Sequence, residues 1–275
     1  SGGSMVAWGW DAGNGSPVSN TDGTITATVK ANPAYGFSII SYTGNSVNNA
    51  TIGTGLNSEA EMVIIKNRTD DTASDSWPVW HKDIGTGKYL SLSTTNAAAT
   101  SGVWNDGGFT NDVISISSWN GINKSGTTYI GYAWHSVAGY SSIGSYTGNG
   151  SSSGPTINCG FRVGFVMIKR TGAGWYIQDA SRTPINPADK FLDAADADAE
   201  ATGVALDFTS TGFQIVNPDA GGNANGGTYI YMAFKGSYAD YVSDYNTDGT
   251  IDSRIKANPA TGFSIASYTG TGANA

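Results

Sequence analysis

The sequence predicts an all-β protein built from tandem antiparallel β-sandwich units, and three observations carry that prediction. The first is composition: of 275 residues, 38 are glycine, 11% are aromatic and only 13% are charged. Leu, Glu, Lys and Arg, which favour helices, are scarce, while the turn and strand-border residues Gly, Ser, Thr and Asn abound. The second is the spacing of short apolar or alternating runs between Gly, Asn and Ser clusters, as in a sandwich. The third is internal repetition. Gly36-Phe37-Ser38 followed by Ser41-Tyr42-Thr43-Gly44 recurs as Gly139-Tyr140-Ser141 followed by Ser145-Tyr146-Thr147-Gly148, and again within Gly262–Gly270.

The elements follow in order. Val6–Trp10 reads as the closing strand of a preceding unit, because at an offset of 226 Val6-Ala7-Trp8 falls on Met232-Ala233-Phe234. At the same offset residues 19–44 and 245–270 share 19 of 26 positions. Met62–Ile65 and Phe165–Ile168 are continuous apolar runs, as expected of a strand in mid-sandwich, with Lys66 and Lys169 marking the exit to solvent. Tyr89–Ser93 and Val113–Ser117 alternate apolar with polar, which predicts one wet face each. Tyr129–Trp134 and Tyr229–Phe234 are aromatic-rich closing strands. Residues 188–201, rich in Ala, Asp and Glu, predict a short helical turn. Gly262–Thr269 is an opening strand.

The expected organisation is therefore an expression-linker scar at 1–5, a last strand plus linker at 6–35, sandwich units at 36–137 and 138–236, a linker at 237–261, and a first strand at 262–275. On this reading the chain is a window from a longer array. Two strands with unpartnered backbone groups would then seek each other or an exposed edge, within one chain or head-to-tail between chains.

Charge and cysteine narrow the function classes. A net charge of −8 and a pI near 4.5 argue against a nucleic-acid or anionic-membrane partner. One cysteine, Cys159, excludes an intrachain disulfide framework. With two histidines, His81 and His135, and one cysteine, a zinc or nucleophilic site has too few members.

Val6-Ala7-Trp8-Gly9-Trp10, Val18–Ile25, Gly36–Ile39 with Ser41–Gly44, and Tyr229–Phe234 resemble tandem repeats in large structural proteins of marine bacteriophages. Those are tail- or fibre-like components with lectin-like or jelly-roll β domains. The resemblance implies a virion or extracellular location, other repeats of the same array as partners, and no catalytic residues. Gly9 departs from it, since Cys or a bulkier residue is expected there.

Candidate binding residues are unit-specific aromatics beside amides, which suit pyranose stacking: Trp80, Trp104 with Asn105 and Asp106, and Trp119 with Asn120. Asp244, Asn246, Asp248 and Asp252 space oxygens as in the early half of a calcium loop, but the twelfth position is Ile255 and the aligned copy has Val18 for Asp244. An Asp-Gly turn is the alternative, so no cofactor is expected, calcium being the one candidate. Carboxylates cluster at Asp189, Asp193, Asp196, Asp198 and Glu200, and at Asp70, Asp71 and Asp75. The expected function is a non-catalytic structural and adhesive module of a phage virion appendage, with host-surface glycans as ligands held by weak, multivalent contact. The alternatives are a polysaccharide-degrading tail enzyme and a purely structural, filament-forming repeat.

Overall fold

A computed structural model describes residues 4–69, 76–170, 172–236, 244–258 and 262–271. Asp70, Asp71 and Asp75 of the expected acidic loop lie outside them, as do parts of both the expected linker and the final segment. The described chain is all-β, with antiparallel strand ladders. One eight-stranded sheet runs in the order Val18–Asn20, Ala27–Asn32, Phe37–Thr43, Thr128–Trp134, Met62–Asn67, Pro78–His81, Lys88–Ser91, Ala99–Thr100. A two-stranded sheet, Ala50–Gly53 with Val113–Ile116, lies across its core. The second eight-stranded sheet runs Ser141–Thr147, Thr228–Lys235, Val163–Arg170, Trp175–Asp179, Ala188–Asp193, Ala201–Phe208, Gly212–Ile215, Thr156–Asn158. A four-stranded sheet gathers both ends of the chain: Ser4–Trp10, Phe263–Thr269, Ser253–Asn258, Asp244–Asn246.

The apolar runs are central strands because both their faces are covered. Val63 and Ile65 enter one core with Ile40, Tyr42, Trp104 and Tyr129, whereas Met62 and Ile64 enter a second. Val166 and Ile168 enter a third core with Tyr146, Phe213 and Tyr229, whereas Phe165 and Met167 join that same second core. A strand wet on one face would alternate; these are apolar throughout because the middle core is shared. Their registers match: Tyr132 faces Ile64 as Met232 faces Met167.

The ends pair with each other in one chain, Trp10 opposite Phe263 and Ser4 opposite Thr269. The strand thus begins at Ser4, inside the segment read as a linker scar. The register also corrects the alignment of Trp8 with Phe234. Trp10 faces Phe263 as Trp134 faces Phe37, so Trp10 is the closing aromatic. Gly9 then stands where the other strands carry Ala133 and Ala233, and each faces a serine: Ser264, Ser38 and Ser142. A Cβ on Gly9 would lie 3.1 Å from Ser264 Oγ, so a larger residue there requires that serine side chain to shift.

Four further expectations are corrected. The supposed linkers contain hairpins that extend the sheets, Val18–Asn20 with Ala27–Asn32 and Asp244–Asn246 with Ser253–Asn258. Residues 188–201 hold no helix; Ala188–Asp193 is a strand fixed between Trp175–Asp179 and Ala201–Phe208. Ser115 and Ser117 are buried, because the Asn105–Gly108 loop covers the face predicted to be wet. Lys169 does not reach solvent: it is buried, its Nζ donates to Thr94 O and Ala173 O, and it lies 5.2 Å from the Trp175 ring.

Candidate functional site

Each eight-stranded sheet carries the same buried latch. Tyr42 and Tyr129 stack at 5.2 Å, and Tyr146 and Tyr229 at 4.9 Å. Their hydroxyls donate to carbonyls of a one-turn helix: Tyr42 to Ile122 and Tyr129 to Asn120, Tyr146 to Gly222 and Tyr229 to Ala220. Burial in this carbonyl-rich setting raises the Tyr42 and Tyr146 hydroxyls well above the usual tyrosine range. From each helix an asparagine with no exposed surface, Asn123 or Asn223, ties down the facing loop. Gly44 and Gly148 permit the approach, since a Cβ on either would lie 2.4 Å from the Lys124 or Ala224 carbonyl oxygen.

The predicted sugar platform does not assemble. Trp104 is 2% exposed and Trp80 5%, both in the core beside Phe109 at 6.5 and 4.5 Å, so neither ring offers a face to a pyranose. Both rings pack in the core under the two-stranded sheet Ala50–Gly53 and Val113–Ile116. Asn105 and Asp106 are half-buried; the Asp106 carboxylate accepts from Gly87 N at 3.0 Å. Trp119 is half-buried 6.1 Å from Tyr89, and Asn120 is exposed.

The calcium candidates form a closed turn. Asn246 Oδ1 accepts from Asp248 N at 3.0 Å and its amide donates to Asp248 Oδ2 at 3.2 Å, a geometry repeated at Asn20 and Asp22. The side chain of Asp244 lies outside the described residues, and Asp252 is exposed. Among the described residues no group of three His, Cys, Asp or Glu side chains could hold a metal. A thermal melt titrated with calcium is expected to show an unchanged Tm. A Tm that climbs with ion concentration would put an ion in this loop.

Sequence reading missed a groove of about 1000 Å³ between Ser4–Trp8 and the second eight-stranded sheet. Its apolar lining includes Val6, Trp8, Ile177 and Leu192, and its rim carries Asp193, Asp196, Asp198 and Glu200. Arg182 organises one wall: Nε reaches Asp179 Oδ2 and Nη1 reaches Glu200 Oε2, both at 2.7 Å, and the guanidinium lies 5.8 Å from the Trp8 ring. Trp8 Nε1 also donates to Asp179, at 3.2 Å. Glu200 is paired again with Lys190, and Asp193 accepts from the Trp175 and Ala195 amides. These two carboxylates of the cluster are thus held by structural partners.

The profile of the family described as a domain of unknown function, DUF7483, matches residues 1–237 and 239–275. The chain belongs to DUF7483. No curated protein and no solved structure matches it. In this DUF7483 chain the match takes in both terminal strands as well as the two larger sheets, and its description assigns no chemistry.

Burial also shifts three ionisable groups of this DUF7483 chain, Cys159, Lys169 and His81. Burial pushes the Cys159 thiol up to about 11, against activation as a nucleophile, and pushes the Lys169 ammonium down to about 8. His81 is 1% exposed; its Nδ1 accepts from Asp83 N, so Nε2 carries the proton toward Tyr231 O of the other sheet at 3.3 Å. Burial is the main cause that lowers this ring from 6.5 to about 4. Between those values the unfolded chain binds a proton that the folded chain refuses, so stability must fall as pH drops from 6.5 to 4. The expected loss is about 3 kcal/mol by urea unfolding. His81→Gln should flatten this limb; parallel losses in variant and parent would show that another group titrates.

Proposed function

We propose that this chain is a non-catalytic structural and adhesive module of a phage virion appendage, built from two lectin-like sandwich units of one repeat type. The observation that carries this reading is the shared middle core. Phe37, Met62, Ile64 and Trp134 from one sheet meet Phe165, Met167, Met232 and Phe234 from the other and Trp10 and Phe263 from the terminal pair. A chain that uses the outer faces of its sheets to join neighbours, with matching latches in each, is suited to fix spacing along an appendage. Adhesion would fall to exposed loops, where Asn105, Asp106, Trp119 and Asn120 are the members of the predicted glycan set that are not buried, and many weak contacts would add through effective concentration.

Immunogold labelling of purified virions with antibody to this chain tests the assignment. Gold on a tail or fibre is expected; label confined to the infected cell would overturn it. A glycan array read in parallel separates the adhesive part, since a blank array with labelled virions leaves only the structural role.

A further inference from the structure

The strand Ser4–Trp10 has one edge bonded to Phe263–Thr269, and among the described strands nothing bonds the other. Its counterparts are bonded on both sides. Thr128–Trp134 lies between Phe37–Thr43 and Met62–Asn67, and Thr228–Lys235 lies between Ser141–Thr147 and Val163–Arg170. We propose that the open edge of Ser4–Trp10 is a docking site for one extended strand of the kind Met62–Asn67 and Val163–Arg170 represent, supplied by a further repeat of this type.

The register of the two occupied edges says how that strand would sit. Trp134 faces Met62, Tyr132 faces Ile64 and Ile130 faces Lys66; Phe234 faces Phe165, Met232 faces Met167 and Ile230 faces Lys169. With Trp10 as the closing aromatic, the same pattern puts the first apolar residue of the docked strand opposite Trp10, its third opposite Trp8, and its lysine opposite Val6. Trp8 and Val6 line the groove of about 1000 Å³, whose charged lining is Asp193, Asp196, Asp198 and Glu200 against Arg182 and Lys190, a net negative set. The apolar stretch therefore meets apolar lining, and the lysine meets the acidic rim. Met5, 53% exposed, marks the same uncovered strand. Strand addition of this sort takes its affinity from backbone hydrogen bonds and its choice of partner from alternate side chains.

A neighbouring pair of contacts supports the equivalence. The strand beyond Met62–Asn67 places His81 against Tyr231 O of the second sheet, and the strand beyond Val163–Arg170 places Asp179 against Trp8 of the terminal sheet. Two of the three closing strands, Thr228–Lys235 and Ser4–Trp10, are thus each bonded by a neighbouring sheet. Only the terminal one lacks its own third strand among the described residues.

This inference rests on the repeat reading, but its test reads the edge alone, so either can fail without the other. A fluorescent peptide with the sequence of Glu61–Arg68 is added to the intact chain, and anisotropy and amide exchange are followed. Saturable binding, one peptide per chain, with new protection across Met5–Gly9 is expected. A peptide carrying Lys66→Glu should bind at least about tenfold more weakly, because it turns an attraction to the acidic rim into a repulsion. No binding, or equal binding of a scrambled peptide, would overturn the proposal. So would a dimer in sedimentation velocity that buries the same edge and that the peptide does not dissociate.

Discussion

Replacing Asn223 by alanine should lower the unfolding free energy by about 3–5 kcal/mol, because several buried polar groups lose their partner at once. Its Nδ2 donates to Ser151 O at 2.7 Å, Asn217 O at 3.0 Å and Asn149 Oδ1 at 3.2 Å, and its Oδ1 accepts from Asn149 N at 2.8 Å. No part of the residue is exposed, so water cannot step in without opening the loop. Asn123→Ala is the internal comparison, since Asn123 Nδ2 donates to Val47 O and Ser117 O and its Oδ1 accepts from Asn45 N. Urea unfolding of both variants should give losses within about 1 kcal/mol of each other, the usual scatter of such interactions. A large loss at one site with none at the other would mean that the two latches, alike in geometry, are not alike in energy.

Trp10→Ala should cost a similar 3–5 kcal/mol, the usual range for removing a packed tryptophan ring, but the loss should be local. The ring sits among Phe37, Trp134, Phe165, Phe234 and Phe263 at centroid distances of 6.3, 6.0, 5.7, 5.6 and 5.5 Å. It is the main anchor of a four-stranded sheet whose other inward residues are Val6, Trp8, Phe263 and Ile265. Without it that sheet should open while the two eight-stranded sheets hold, as happens when one cooperative segment is weaker than the rest. Hydrogen exchange should show lost protection across Ser4–Trp10 and Phe263–Thr269 with protection retained at Met62–Ile65. Uniform loss across all three would show that the aromatic core unfolds as one piece.

Much of this architecture was legible in the sequence, and the failures have physical causes. Apolar runs such as Phe165–Ile168 announced strands covered on both faces, and repetition announced that Val6–Trp10 and Gly262–Thr269 were complementary. The alignment of Trp8 with Phe234 slipped by two residues, which a period-two pattern cannot detect, because such a slip leaves every side chain on the same face. Trp80 and Trp104 were misread since ring burial depends on the sheet opposite, which the local sequence does not describe. The groove went unseen because its walls come from Ser4–Trp8 and from residues 177–200, brought together only by the closure of the ends. Trp8, a plain strand residue in sequence, became informative once Arg182 and Asp179 stood beside it.

The shared middle core also bears on how such a protein can change over generations. A deletion that removed one eight-stranded sheet would uncover the other and leave Met62, Ile64 and Trp134, or Phe165, Met167 and Phe234, facing water. Residues 19–44 and 245–270, identical at 19 of 26 positions and 226 apart, bracket both large sheets and the core between them. Substitutions in one partner's outward side chains should accordingly be tolerated only with matching changes in the other, so that the two halves drift as a couple.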